Sequence, residues 1–265
     1  VPPFVLGITE PQAGSDDSAI ATTYERKDGK IIINGHKCFI SLAGYAKYIM
    51  CFARDPYAEN PKKAITAWLV PTNAPGITMH KMGKIGARMA PFYDVYFDNV
   101  EVEEDDMCGN EHEGFLFMMK NFEPERLLAA ASALGWAEAA YEDAARYANS
   151  RVQFGQPIGN FQLIQERITD MAVKIECMRN MIYESAKDIE NGISGRISTA
   201  MCKYYVAITA GEVIDSAMQV MGGIGFTTDH RVSRLWRDVR SIRFGGGTDE
   251  VMIHILGRAI LKQYK

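Results

Sequence analysis

Two hydrophobic rhythms divide this 265-residue chain, and the change of rhythm near residue 105 constrains its fold more than any single motif. Before that point, short runs of alternating apolar and polar residues end at turn residues. Thr22–Lys27 runs into Asp28-Gly29, a hairpin signal, and Ile31–Ile33 runs into Asn34-Gly35, a second one. Lys37–Leu42, Tyr48–Ala53, Ile65–Val70, Gly76–His80 and Tyr93–Val102 read as further strands. Short strands at this spacing predict an antiparallel β-barrel or sandwich over residues 1–105. Glu103, Glu104, Asp105 and Asp106 then read as a solvated, charged connector. Beyond it the period is helical. Pro124 suits the first turn of a helix, so a helix is expected to start near Glu123, with Leu127, Leu128, Ala131, Leu134, Ala137 and Tyr141 on its apolar stripe. The same rule predicts helices at about 160–191, 196–221, 229–239 and 248–264. Long helices with short connections predict an antiparallel four-helix bundle over residues 106–265, and the fold class is α+β.

Composition narrows the function. A net charge of −4 and a pI near 5.8 argue against a nucleic-acid-binding surface. Cys38, Cys51, Cys108, Cys177 and Cys202 lack C-x-x-C spacing, which fits reduced thiols better than disulfides or zinc. The five histidines show no paired metal-ligand spacing, so no metal is expected. Neither a signal peptide nor an apolar run of membrane-spanning length is visible. The chain opens V-P-P-F without methionine, which reads as a fragment or a processed product.

Several segments could carry chemistry. Arg243–Glu250 reads R-F-G-G-G-T-D-E: a bare backbone before a helix start, with Thr248 as N-cap and Asp249 and Glu250 in the first turn. Such a backbone suits close approach to a ligand, but it holds no titratable side chain, so any proton chemistry must come from elsewhere. Ile8–Asp16, I-T-E-P-Q-A-G-S-D, is a turn by composition that could present the hydroxyls of Thr9 and Ser15 to a polar ligand. Gly222-Gly223-Ile224-Gly225-Phe226 reads as a helix C-cap and turn, and it makes no dinucleotide fingerprint. Arg151–Gln162 reads as a surface loop whose Arg151 could grip a phosphate. Glu125, in the first turn of its expected helix, would complement the helix dipole.

Taken together and in this order, these segments resemble the acyl-CoA dehydrogenase family over essentially the whole chain. The resemblance implies FAD as cofactor, an acyl-CoA thioester as substrate, and oxidation of its Cα–Cβ bond to a trans-2-enoyl-CoA. Family members have an N-terminal helical domain, a middle β domain and a C-terminal four-helix bundle; this sequence begins at the middle domain, so the first is expected to be absent. Position by position, Ile8 and Thr9 resemble flavin-ring contacts, and Gly14 and Ser15 the loop beside flavin and CoA. Phe39 takes the place of an aromatic that packs on the flavin, and Ser41 that of a threonine near N5. Gln12 departs from the usual glycine. Arg151, Phe154, Gln162, Gln219, Gly222 and Gly223 resemble residues that hold FAD across a subunit interface, which implies a homodimer or homotetramer. Thr248 and Glu250 match positions near the FAD phosphate and ribose. The resemblance also implies electron-transfer flavoprotein as redox partner, and a cytoplasmic location, or the mitochondrial matrix in a eukaryote.

Many members carry their catalytic glutamate directly before the G-T that opens the last helix. Here that position is Gly246. A subgroup that includes isovaleryl- and long-chain-type enzymes places glycine or alanine there and keeps its glutamate in the central helix, directly before an arginine. The segment F-E-P-E-R-L-L matches, with Glu125 as base, Arg126 beside it at the substrate, and a Gly246 N–H for the thioester oxygen. Glu142–Asn149, Phe161–Glu166, Ala200–Tyr204 and Asp215–Gly223 look closest to the crotonobetainyl-CoA reductase branch, which runs the reaction toward reduction. The rival readings are an oxygen-using acyl-CoA oxidase and a truncated assembly module without turnover.

Overall fold

A computed structural model describes residues 2–60 and 63–265. The chain divides into two compact units, Val1–Asn121 and Phe122–Lys265.

The first unit is built on one sheet. Its strands are β1 (Phe4–Gly7), β2 (Thr23–Lys27), β3 (Lys30–Ser41), β4 (Tyr48–Arg54), β5 (Ile65–Pro71), β6 (Ile77–Met82), β7 (Phe92–Val102) and β8 (Met107–Cys108). They are ordered β6-β7-β3-β2-β4-β5-β8, with β1 pairing β4 off that path. Among the described residues the end strands β6 and β8 do not pair with each other, so the sheet is open and, of the expected barrel or sandwich, no closed barrel forms. Nor is it purely antiparallel: β1 runs parallel to β4 from Phe4↔Tyr48 to Gly7↔Cys51, and β2 meets β4 in parallel at Thr23↔Arg54. Turn residues report only local hairpins, so pairing between strands this far apart in sequence escaped them. Tyr24, Ile33, Ile49, Trp68, Val95 and Val100 are among the buried residues of its core.

Asn34-Gly35 is not a turn. β3 passes straight through it, with a break in its register against β7. A Cβ on Gly35 would lie 2.7 Å from Thr22 Cα, so glycine is there to admit a neighbouring backbone. The acidic run Glu103–Asp106 is also more than a connector: it forms a short 3₁₀ turn closed by a reciprocal capping box. Arg26 pairs with Glu104 at 2.7 Å and Lys30 with Glu103.

The helices are α1 (Gly114–Ser150), α2 (Gln162–Glu190), α3 (Arg196–Met221), the short α4 (Gly223–Phe226), α5 (Arg231–Val239) and α6 (Asp249–Lys262). The later helices lie where periodicity put them. The first does not: Pro124 sits inside α1 rather than at its start. Its ring costs the helix one hydrogen bond without ending it, because the apolar pattern continues on both sides. Glu125 is therefore mid-helical, not in a first turn. In the second unit the stripe of α1 is carried by alanines at 130, 133, 137, 140, 144 and 148 together with Leu134, while Leu128 is exposed. α3 buries residues on most sides and packs on α2, α5 and α6, as expected of a central helix.

Candidate active site

In the first unit the loop Ile8–Asp16 is stitched to β3. Glu10 and Ala13 exchange backbone bonds (3.0 and 3.1 Å) around Pro11 and Gln12, a tight turn with proline in its favoured second position. Gln12 is not in a left-handed conformation, so the turn does not demand glycine there, and its amide donates to Glu10 at 2.6 Å. The Glu10 carboxylate also accepts from the Ala21 and Thr22 amides and from Lys37 Nζ at 2.7 Å. Lys37 further donates to the Ile8 carbonyl at 3.0 Å, and the Cys38 amide to that of Thr9 at 2.8 Å. Burial opposes ionisation of Glu10, but Lys37 and these hydrogen bonds outweigh it and hold its carboxyl below the ordinary range.

These ties bring Ile8 and Thr9 alongside Cys38 and Phe39. A second register break in β3, between Lys37 and Ile40, puts Phe39 at φ 58° and leaves it 52% exposed. A left-handed phenylalanine is strained by about 1–3 kcal/mol, which marks a position selected for its direction. Gly14, Ser15 and Ser41 are exposed. Glu10 and Lys37 were not singled out from sequence; a charged residue inside an otherwise apolar strand was the available signal.

In the second unit Glu125, Arg126 and Gly246 come together. Gly246 is left-handed (φ 66°), and a Cβ placed on it would lie 3.8 Å from Glu125 Oε1. Glu125 as a whole residue is exposed, yet enough protein surrounds its carboxyl that desolvation raises its pKa, with Arg126 partly opposing the rise. Arg126 is buried, and its Nε donates to the Gly246 carbonyl at 3.3 Å. Among the described residues neither the Gly246 nor the Gly247 N–H donates to a backbone carbonyl. Thr248 caps α6, its hydroxyl accepting from the Val251 amide at 3.2 Å. Glu250 is exposed, and hydrogen bonds from its own amide and Thr248 hold its carboxyl low. Asp249 is buried instead, bound by Arg243 Nε at 2.6 Å. Lys203 of α3, also buried, donates to the carbonyls of Arg243 and Gly247. Lys203, Arg243 and Asp249 too were missed from sequence, since none stands out within its own segment.

Arg151–Gln162 is not simply a loop. Val152–Gln153 (β9) and Gln156–Pro157 (β10) pair across Phe154-Gly155, both residues with positive φ as in a type I′ hairpin. Phe154 stands at its tip, 94% exposed, with exposed Arg151 and Gln162 at its two ends. Gln219, Gly222 and Gly223 are exposed where α3 ends, and the Gly222 amide closes that end onto Met218 and Gln219. Among the described residues no group of His, Cys, Asp or Glu is arranged to hold a metal, and no helix is long and apolar enough to cross a membrane.

Comparison with known proteins gives this geometry a family. Residues 5–100 match the model of the acyl-CoA dehydrogenase middle domain, and residues 112–261 that of the acyl-CoA dehydrogenase C-terminal domain. The probable acyl-CoA dehydrogenase YdiO of Escherichia coli K12 is 54% identical over 264 residues, covering 100% of this chain and 69% of its own. Butyryl-CoA dehydrogenase from Megasphaera elsdenii superposes with a TM-score of 0.94 at 34% identity, over 97% of this chain and 68% of that one. A chain in the structure of the electron transferring flavoprotein of Acidaminococcus fermentans does so with a TM-score of 0.94 at 34% identity, over 98% and 68%. Two family models in series, an enzyme relative above half identity and the shared fold lead to one conclusion: this chain belongs to the acyl-CoA dehydrogenase family.

Proposed function

We propose that this chain is an FAD-dependent acyl-CoA dehydrogenase that interconverts an acyl-CoA and its trans-2-enoyl-CoA, with Glu125 as the base. The observation that carries the assignment of the base is the 3.8 Å between Glu125 Oε1 and the place where a side chain on residue 246 would begin. Family members that keep their glutamate at that position would aim it at the space Glu125 reaches from α1. Its raised pKa supports the same role. The α-proton of a thioester is only weakly acidic, and a desolvated carboxylate is a stronger base than a hydrated one.

The residues present fit FAD. Exposed Phe39 offers an aromatic face, Ile8 and Thr9 are tied to the strand that carries it, and Gly14, Ser15 and Ser41 offer exposed backbone and hydroxyl groups. In the second unit Arg151, Phe154, Gln162, Gln219, Gly222, Gly223, Thr248 and Glu250 offer a guanidinium, amides and bare backbone, groups of the kind that hold a dinucleotide. Bound FAD would supply the acceptor for the β-hydride. Glu125 removes the α-proton. The Gly246 N–H donates to the thioester oxygen, where negative charge grows as that proton leaves. Arg126 keeps the Gly246 carbonyl turned toward itself.

We take residues 1–105 and 106–265 as the middle and C-terminal domains, the latter as the family's four-helix bundle. Homo-oligomerisation is supported by Phe154 and Phe226, which are 94% and 81% exposed. Electron-transfer flavoprotein is the proposed redox partner. Within the family, the segments Glu142–Asn149 and Asp215–Gly223 favour the crotonobetainyl-CoA reductase branch.

Anaerobic mixing with a panel of straight-chain acyl-CoAs, followed at the flavin band, tests the base. Glu125→Gln should retain FAD and bleach it ~10²–10⁴-fold more slowly than wild type. Bleaching at the normal rate would remove Glu125 from the mechanism. Crotonobetainyl-CoA added to the reduced protein tests the branch, and failure to reoxidise it would exclude that assignment.

A further inference from the structure

The glycine run is held by a buried cation that the reaction above does not use. Lys203 is fully buried on α3. Its ammonium donates to the Arg243 carbonyl at 3.3 Å and to the Gly247 carbonyl, and lies 3.9 Å from Asp249 Oδ1. Asp249 is no dedicated partner, because its other oxygen is bound by Arg243 at 2.6 Å. Arg126 takes the Gly246 carbonyl. The carbonyls of residues 243, 246 and 247 are thus all committed to cations.

A trans peptide points its N–H opposite to its C=O, so fixing the Gly246 and Gly247 carbonyls also fixes the N–H directions of Gly247 and Thr248. The two glycines sit at φ 66° and 101°. Three glycines in a row have more backbone freedom to lose than any other tripeptide, so this conformation needs external ties. A buried ammonium in turn needs hydrogen-bond acceptors. Lys203 and the run satisfy each other.

We infer that Lys203 is a positioning residue: by holding the Arg243 and Gly247 carbonyls it anchors both ends of the glycine run, and so keeps Gly246, whose N–H is proposed to meet the thioester oxygen, in place beside Glu125. The inference rests on the roles proposed above for Glu125 and Gly246. The charged groups around Lys203 are Asp249 and Glu250 of α6, Arg126 of α1, and Arg243 of the turn before the glycines. Burial lowers its pKa to about 8, Asp249 opposing and Arg126 and Arg243 adding to the effect. The cation is therefore lost just above neutrality, and the kcat profile of the wild type should fall on that alkaline side.

The test compares FAD-loaded wild type, Lys203→Met, Lys203→Arg and Glu125→Gln. Exchange of the Phe244 and Gly245 amides, which both donate to the Ser241 carbonyl, is read by mass spectrometry without substrate. Turnover is read with the straight-chain acyl-CoA that bleaches wild type fastest. In Lys203→Met, exchange in this segment should quicken about 10-fold or more. Its kcat should fall about 10-fold or more while KM stays within about 3-fold, the signature of misplaced transition-state contacts. Lys203→Arg, which keeps the charge and donors, should recover most of both. Glu125→Gln should lose turnover with exchange unchanged. If folded Lys203→Met exchanges or turns over like wild type, the inference is overturned. If it does not fold, Lys203→Gln is held to the same criteria, and wild-type exchange or kcat in that variant overturns it equally. Normal turnover by Glu125→Gln would sink the base assignment alone, and the exchange data would still decide whether Lys203 holds the run.

Discussion

Two of the loops that carry the proposed site residues are each anchored by a buried lysine, but the two anchors are electrostatically unlike. In the first unit Lys37 meets the Glu10 carboxylate at 2.7 Å, with the side chains 0% and 2% exposed, and spends a further hydrogen bond on the Ile8 carbonyl. In the second unit Lys203 meets mainly carbonyls, with Asp249 at 3.9 Å and already engaged by Arg243. The first anchor is charge-balanced, so it is a latch that holds over a wide pH range. The second is bound chiefly through neutral carbonyls, so burial lowers the pKa of Lys203, with Asp249 opposing and Arg126 and Arg243 adding to the effect. One loop is held by an ion pair, the other by a lysine whose charge burial opposes.

The largest expected effect separates the two anchors directly. Lys37→Met strands a buried carboxylate and should cost about 3–5 kcal/mol, read from urea unfolding of the FAD-loaded protein. Lys203→Met leaves carbonyls and an Asp249 still bound by Arg243, and should cost less. Equal losses would break the comparison.

pH dependence comes next. Below about 8 Lys203 is protonated in the folded and unfolded chain alike, and its burial penalty is constant. Between about 8 and the ordinary 10.5 the unfolded chain binds the proton and the folded one does not, so stability rises with pH there. At about 1.4 kcal/mol per pH unit that rise is on the order of 3 kcal/mol, and Lys203→Met should abolish it in the difference from wild type. Glu10 gives a slope of the same sign at the acid end: its lowered pKa contributes stability that is fully present above the ordinary 4.5 and lost as pH falls through the folded value. Glu10→Gln should flatten that acid limb; an unaltered limb would mean that Glu10 is not ionised by Lys37.

The smallest effect probes the first loop alone. Phe39→Gly removes a side chain from a left-handed position and should stabilise the FAD-free protein by about 1 kcal/mol while weakening FAD retention. A loss in FAD-free stability would show that the Phe39–Phe92 contact, 6.2 Å between ring centres, outweighs the strain.

By itself the sequence determined the order of strands before helices, the limits of the later helices and the Thr248 cap. All of these rest on local periods, local capping chemistry or motifs contiguous in the chain. It misread Asn34-Gly35 and Pro124 and left barrel and sandwich both open, because a turn dipeptide, a helix-breaking residue and a strand count are local signals that long-range pairing can overrule. β3 runs through Asn34-Gly35 because β2 and β7 pair along it, and glycine is retained there for Thr22. Only the tertiary structure brought Gly246 within reach of Glu125, 121 positions away in number. Only it could reveal Lys37 and Lys203 as anchors, since a lysine looks like surface until the carbonyls and carboxylates that replace its water are in place.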